Sequence, residues 1–188
     1  MTRTTRFALL LAVVAASTTG CGYNTIQTMD EQVNQAQGQV QTQLQRRADL
    51  IPNLVNTVKG VTKQEDTVFI SIANARARLG GAIQSGNVPE MAAANAQLDQ
   101  GLGRLIAISE NYPQLRSSEN FRQLQDQLEG TENRISVARQ DYNTAVGQYN
   151  AYIRRFPYNL TAKVFGMSHP REYFEAAPGA GEAPKVQF

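Results

Sequence analysis

A chain of 188 residues with 18 Lys+Arg and 16 Asp+Glu has room for one domain with a modest core, and it lacks the strong basic field that nucleic-acid binding needs. Its one cysteine, Cys21, excludes an internal disulfide framework and a Cys/His zinc cluster. Its one histidine, His169, excludes the paired Glu-x-x-His ligands of di-iron bundles.

The N-terminus reads as a secretion signal. Arg3 and Arg6 precede an apolar run, Phe7 to Ala16, and the small residues Ser17 to Gly20 lead to Cys21. The run is ten residues long, whereas a spanning helix takes about 20. Gly20-Cys21 resembles a bacterial lipobox, with Thr18 where Leu is usual. Cleavage would leave Cys21 as an acylated N-terminus, and dual acylation holds a chain firmly to a bilayer. An ordinary signal peptidase site that leaves a thiol is the alternative. Removing residues 1–20 takes Lys+Arg from 18 to 16, which equals Asp+Glu. The mature chain of residues 21–188 is then formally neutral, so the basic balance belongs to the leader.

From Tyr23 onward the pattern predicts helix throughout. Ile26, Met29, Val33, Ala36, Val40 and Leu44 share one narrow face. Pro52 lacks a donor for a helix interior; Asp49 could cap a new helix with Pro52 in its first turn, and the favoured reading is one element kinked at about Asp49 to Pro52. A second seam runs through Ile51, Leu54, Val58, Val61, Glu65, Val68, Ile72, Ala75 and Leu79, and Gly80-Gly81 is expected to end it. Asn87-Val88-Pro89-Glu90 has the form of a capping box with Pro in the first turn. It opens a helix with Met91, Ala94, Leu98, Gly101, Leu105, Ile108 and Tyr112 as its seam, closed at Tyr112-Pro113.

The longest seam follows. Phe121, Leu124, Leu128, Thr131, Ile135, Ala138, Tyr142, Ala145, Tyr149, Tyr152 and Phe156 alternate steps of three and four. Ser117 or Ser118 can cap this helix, and Phe156-Pro157 stops it. About 38 residues correspond to roughly 57 Å. Asn159 is expected to cap a short helix from Leu160 to Phe165, closed by Gly166. Ser168 to Phe174 suggests one more turn that docks Tyr173 and Phe174. The Ala-, Gly- and Pro-rich residues 176–188 suggest a disordered tail.

These seams predict an all-α fold, an antiparallel bundle of three to four long helices. The expected division is a signal peptide over 1–20, the bundle over 21–175 and the tail over 176–188. The run from Gln45 to Gly60, with Arg46-Arg47-Ala48-Asp49-Leu50-Ile51-Pro52-Asn53-Leu54 inside it, resembles the hallmark of the LemA family. So does Leu128-Glu129-Gly130-Thr131-Glu132-Asn133-Arg134-Ile135, followed by Ala138-Arg139, Tyr142-Asn143, Tyr149-Asn150 and Phe156-Pro157. Glu110-Asn111-Tyr112-Pro113 and Glu172-Tyr173-Phe174 also fit, and the likeness covers roughly Tyr23 to Glu175. The resemblance implies a helical bundle held at the bacterial envelope with its soluble part outside the cytoplasm. It implies no reaction.

Catalytic chemistry finds no support. Ser168 and His169 are adjacent in sequence and cannot form a triad, there is no phosphate loop, and no catalytic residue, metal or cofactor is expected. Paired acids such as Glu65-Asp66, and Glu129 with Glu132, read as solvated helix charges. The candidate partner-binding residues are polar ones beside the seams. Glu132, Arg139, Asn143 and Asn150 step by seven, four and seven along the last long helix, and Arg46 and Arg47 lie by the expected kink. A packing role, with charges paired across helices, is the competing reading. It is preferred for Arg139, and partner contact for Arg46. A buried Glu65 would also need an Arg. The expected function is a lipid-anchored, extracytoplasmic helical scaffold that contacts another envelope protein. The alternative is a periplasmic ligand-binding protein that uses the Arg/Asn stripe. Cys21 is the expected lipidation site, and Gly22 after it, in place of Asp, points to the outer membrane.

Overall fold

The computed structural model describes the backbone of residues 3–62 and 66–175 and the side chains of residues 22–62 and 66–175. The expected tail, Glu65 and the side chains of the leader and Cys21 lie outside the described residues. Six helices and no strand occur among the described residues: α1 (Arg3–Lys59), α2 (Asp66–Ser85), α3 (Val88–Glu110), α4 (Pro113–Arg116), α5 (Glu119–Arg154) and α6 (Tyr158–Val164). The all-α class is as the seams predict. Two compact units appear, Met1–Gln37 with Asp141–Glu172, and Gly38–Gln140 with Tyr173–Phe188. Helices α1 and α5 contribute a stretch to each.

In the second unit, α1 and α2 run antiparallel. Gln41 reaches the Ile83 carbonyl, Arg76 reaches the Ala48 carbonyl and Lys59 lies over the Phe69 ring. Helix α3 returns against α2, with Arg78 bonded to Gln97 and Ile72 beside Gly101. The core is built from the predicted seam residues: Val40, Leu44, Ile51, Leu54 and Val58 of α1, Ile72 and Leu79 of α2, Met91, Leu98 and Leu105 of α3, and Phe121 and Ile135 of α5. Each such side chain removed from water contributes about 1.5–3 kcal/mol.

Helix α1 continues through Pro52. Proline has no N–H, so the carbonyl four residues back, Ala48, lacks its helical donor. Arg76 on α2 supplies one, its Nε donating to the Ala48 oxygen at 2.7 Å. The helix keeps a proline in its interior because a neighbouring side chain completes the broken hydrogen-bond ladder.

Three boundaries differ from expectation. The seam through Ile51 and Leu79 belongs to two helices, since α1 ends at Lys59 and turns at Gly60 and Val61. Helix α2 then passes through Gly80 and Gly81 and stops before Gly86, whose φ is 68°. Two mid-helix glycines cost about 0.5–1 kcal/mol each relative to Ala. Leu79 and Ala82 on either side are fully buried, and that packing carries the helix onward. Residues 167–175 form no further turn. Phe174 is buried as expected, whereas Tyr173 stays 45% exposed.

The capping box is present: the Glu90 N–H donates to Asn87 Oδ1 at 3.1 Å. Helix α5 begins directly after Ser118, and α6 begins at Tyr158, with Asn159 inside it rather than capping it. Along α5 the buried stripe drifts. Up to Tyr142 it follows the heptad seam, with Leu124 and Leu128 half-buried, but beyond it Val146 and Ile153 are buried where the seam predicts Ala145 and Tyr152, and Phe156 is 74% exposed. A helix of 3.6 residues per turn falls about 20° behind a 3.5-residue repeat in each heptad. Over several heptads that amounts to one residue position.

Candidate functional site

Arg47 is the centre of the polar structure in the second unit. Its side chain comes off the buried face of α1, next to Ala48, and is only 5% exposed. One terminal nitrogen donates to Glu132 Oε2 of α5 at 2.6 Å and to Asn95 Oδ1 of α3 at 3.0 Å. The other forms an ion pair with Asp99 of α3. The Asn95 amide donates to the second Asp99 oxygen at 3.1 Å. A buried guanidinium is tolerated because its charge is paired and hydrogen-bonded. Burial pushes the Asp99 carboxyl above its ordinary range; the Arg47 charge opposes that rise and the Glu132 charge adds to it. Three helices thus meet on one cation.

One residue earlier in α1 the chemistry reverses. Arg46 is exposed and lines an open groove of about 560 Å³ with Asp49, Leu50, Asp126, Gly130 and Arg134. Gln45 holds Asp49 by a 2.8 Å hydrogen bond. Arg46, Arg134 and Asp126 form no ion pair among the described residues. Gly130 leaves the groove wall open, with nothing within 4 Å of where a Cβ would stand. The floor is fixed by Thr131, whose hydroxyl donates back to the Gln127 carbonyl of its own helix.

The other stripe residues are engaged within the molecule. The Arg139 guanidinium lies over the Phe174 ring, 4.7 Å from its centroid. Asn150 bonds both backbone groups of Arg171: its amide donates to the Arg171 carbonyl at 2.9 Å, and its oxygen accepts the Arg171 N–H at 2.8 Å. Arg171 in turn clamps Asp30 of α1 at 2.7 and 3.0 Å. Tyr142 and Tyr149 donate to the Glu172 and Met167 carbonyls, and burial raises both phenols above their ordinary value. Asn143 also has an interaction partner. His169 is exposed. Among the described residues, no group of three or more His, Cys, Asp or Glu side chains is placed to hold a metal ion, and no helix is long and apolar enough to cross a membrane.

Residues 36–188 match the model of the LemA family. The chain belongs to the LemA family. It is 30% identical over 201 aligned residues to magnetosome proteins MamQ 1 and MamQ 2 of Paramagnetospirillum magneticum, covering 94% of this chain and 73% of each relative. It is 27% identical over 187 residues to magnetosome protein MamQ of Magnetospirillum gryphiswaldense, covering 87% of this chain and 68% of that protein. The two LemA-like runs of the sequence now have a structural meaning. Gln45 to Gly60 supplies Arg47, Pro52 and one groove wall, and Leu128 to Ile135 supplies Glu132 and much of the other.

Asn95, Asp99, Arg76 and Arg171 were not among the candidates. Asn95 and Asp99 stand four apart on one face of α3, a signal visible in sequence. What they face is decided only when α1 and α5 close on them.

Proposed function

We propose that this LemA-family protein is a non-catalytic helical scaffold, anchored at the bacterial envelope through an acylated Cys21 and facing the periplasm, most consistently at the outer membrane. Its partner is another envelope protein, and the contact is made at the Arg46 groove. The observation that carries this reading is the contrast between adjacent arginines. Arg47 is spent inside the molecule on Asp99 and Glu132, while Arg46, Arg134 and Asp126 line an open groove without ion pairs among the described residues. Opposite charges on both walls suit a partner segment that carries both signs, and such rim charges set specificity and on-rate.

The family membership and the relatives support a role without a reaction, since the relatives' names place them with magnetosomes and specify no chemistry. The ligand-binding alternative is weakened because Glu132, Arg139 and Asn150 hold the molecule together. The test is in-envelope crosslinking of the acylated protein, parent against Arg46→Ala and Arg134→Ala. Both variants should express and melt like the parent and lose the crosslinked band. A normal band from both would remove the groove as the contact surface.

A further inference from the structure

Four of the eight exposed large apolar side chains among the described residues fall within ten residues of sequence: Phe156, Leu160, Val164 and Phe165, at 74, 53, 79 and 53% exposure. Phe156, Leu160 and Val164 are spaced by four, and Leu160 and Val164 share one face of α6. The opposite side of α6 is spent on packing, where Thr161 and Ala162 are buried. The apolar face of this short helix therefore points outward, the reverse of an ordinary surface helix.

The charge beside it in sequence has one sign. Arg154, Arg155 and Lys163 are exposed, and no Asp or Glu occurs from Tyr142 to Arg171. Exposed aromatic and aliphatic side chains interleaved in sequence with cations form the pattern of a segment that lies in an anionic lipid interface.

Its position in the first unit agrees. The Tyr23 ring packs on Phe165 with centroids 4.7 Å apart. Tyr158 stands so close to α1 that a Cβ on Gly22 would meet its ring at 2.7 Å. The apolar patch is thus built against the two residues that follow Cys21. We infer that Phe156, Leu160, Val164 and Phe165, with Arg154, Arg155 and Lys163, form a second membrane contact that inserts into the anionic surface of the bilayer holding the N-terminus. The inference rests on the Cys21 tether for its geometry, but the two can be tested apart. Gly22 has a structural reason to follow the cysteine, since a larger residue would push Tyr158 and α6 away.

The chain has no Trp, so one introduced Trp is a clean reporter. Val164→Trp and, as control, the exposed Val137→Trp are prepared in the acylated chain of residues 21–188 and reconstituted into vesicles of phosphatidylglycerol and brominated phosphatidylcholine. The Val164→Trp emission should shift to the blue and be quenched by bromine, and Val137→Trp should do neither. Arg154→Glu with Arg155→Glu should reverse the shift, since each cation is worth about fivefold in partition to an anionic surface. The same quenching is read on protein added to preformed vesicles. Failure to float with vesicles would sink the Cys21 tether and leave the patch measured. Water-like, unquenched Val164→Trp in both formats would overturn the patch. A blue-shifted Val164→Trp in lipid-free buffer, with doubled mass by light scattering, would also overturn it by assigning the patch to a second copy.

Discussion

At the scale of single residues, Arg46 and Arg47 separate an exposed groove wall from a buried ion-pair centre within one peptide bond. Successive helix positions are 100° apart, so one arginine points into the core and its neighbour into the groove. Arg47→Ala leaves the Asp99 and Glu132 carboxylates together without their cation; both are partly solvated, so it should lower stability by about 1–3 kcal/mol. Arg46→Ala should change it by less than about 0.5 kcal/mol. Urea melts of both variants check the pair; equal losses would mean that the burial difference has no energetic meaning. The charges themselves are plain in the sequence. Which of the two is buried is not, because that depends on the exact phase of α1 against α3 and α5.

At the scale of elements, the seams were legible because a helix of this length cannot hide its period. Ile135 is fully buried, and Ile135→Ala should cost about 2–5 kcal/mol. Leu128 is on the same seam but half-buried, so Leu128→Ala should cost less than Ile135→Ala. Val137→Ala, at a 59% exposed position, should cost under about 0.5 kcal/mol. Denaturant melts that failed to rank the three in this order would put the phase of α5 in error. Glycines give a second element-scale test. Gly81 is exposed inside α2 with open space where a Cβ would stand, so Gly81→Ala should stabilise by about 0.4–1 kcal/mol. A Cβ on Gly101 would meet Ile72 Cγ1 at 2.8 Å, so Gly101→Ala should destabilise by forcing α2 and α3 apart. Thermal melts of the two variants should therefore move in opposite directions. The sequence marked Gly80-Gly81 as an end and Gly101 as a seam residue. Burial of Leu79 and Ala82 overrode the first, and close helix packing explains the second.

For the whole molecule, location turns on the proposed anchor at Cys21. Cleavage before Cys21 and acylation there should be seen as a lipid-modified N-terminus by mass spectrometry, and Cys21→Ser should move the protein out of the membrane fraction. An intact Met1 or an unmodified thiol would refute the lipoprotein reading. The sequence alone determined the all-α class, the seams, the capping box at Asn87 and the LemA likeness. All of these are local or periodic signals, set by spacing along one chain. Tertiary structure alone decided that α1 tolerates Pro52 through Arg76, that α2 runs past its glycines to Gly86, that the buried stripe of α5 slips by a residue, and that Arg47 finds Asp99 and Asn95. The slip of α5 accumulates from the mismatch between 3.6 and 3.5 residues per turn, and each of the other outcomes is fixed by packing against residues distant in sequence. The free energy of burial or of a completed hydrogen bond there exceeds the local preference that the sequence displays.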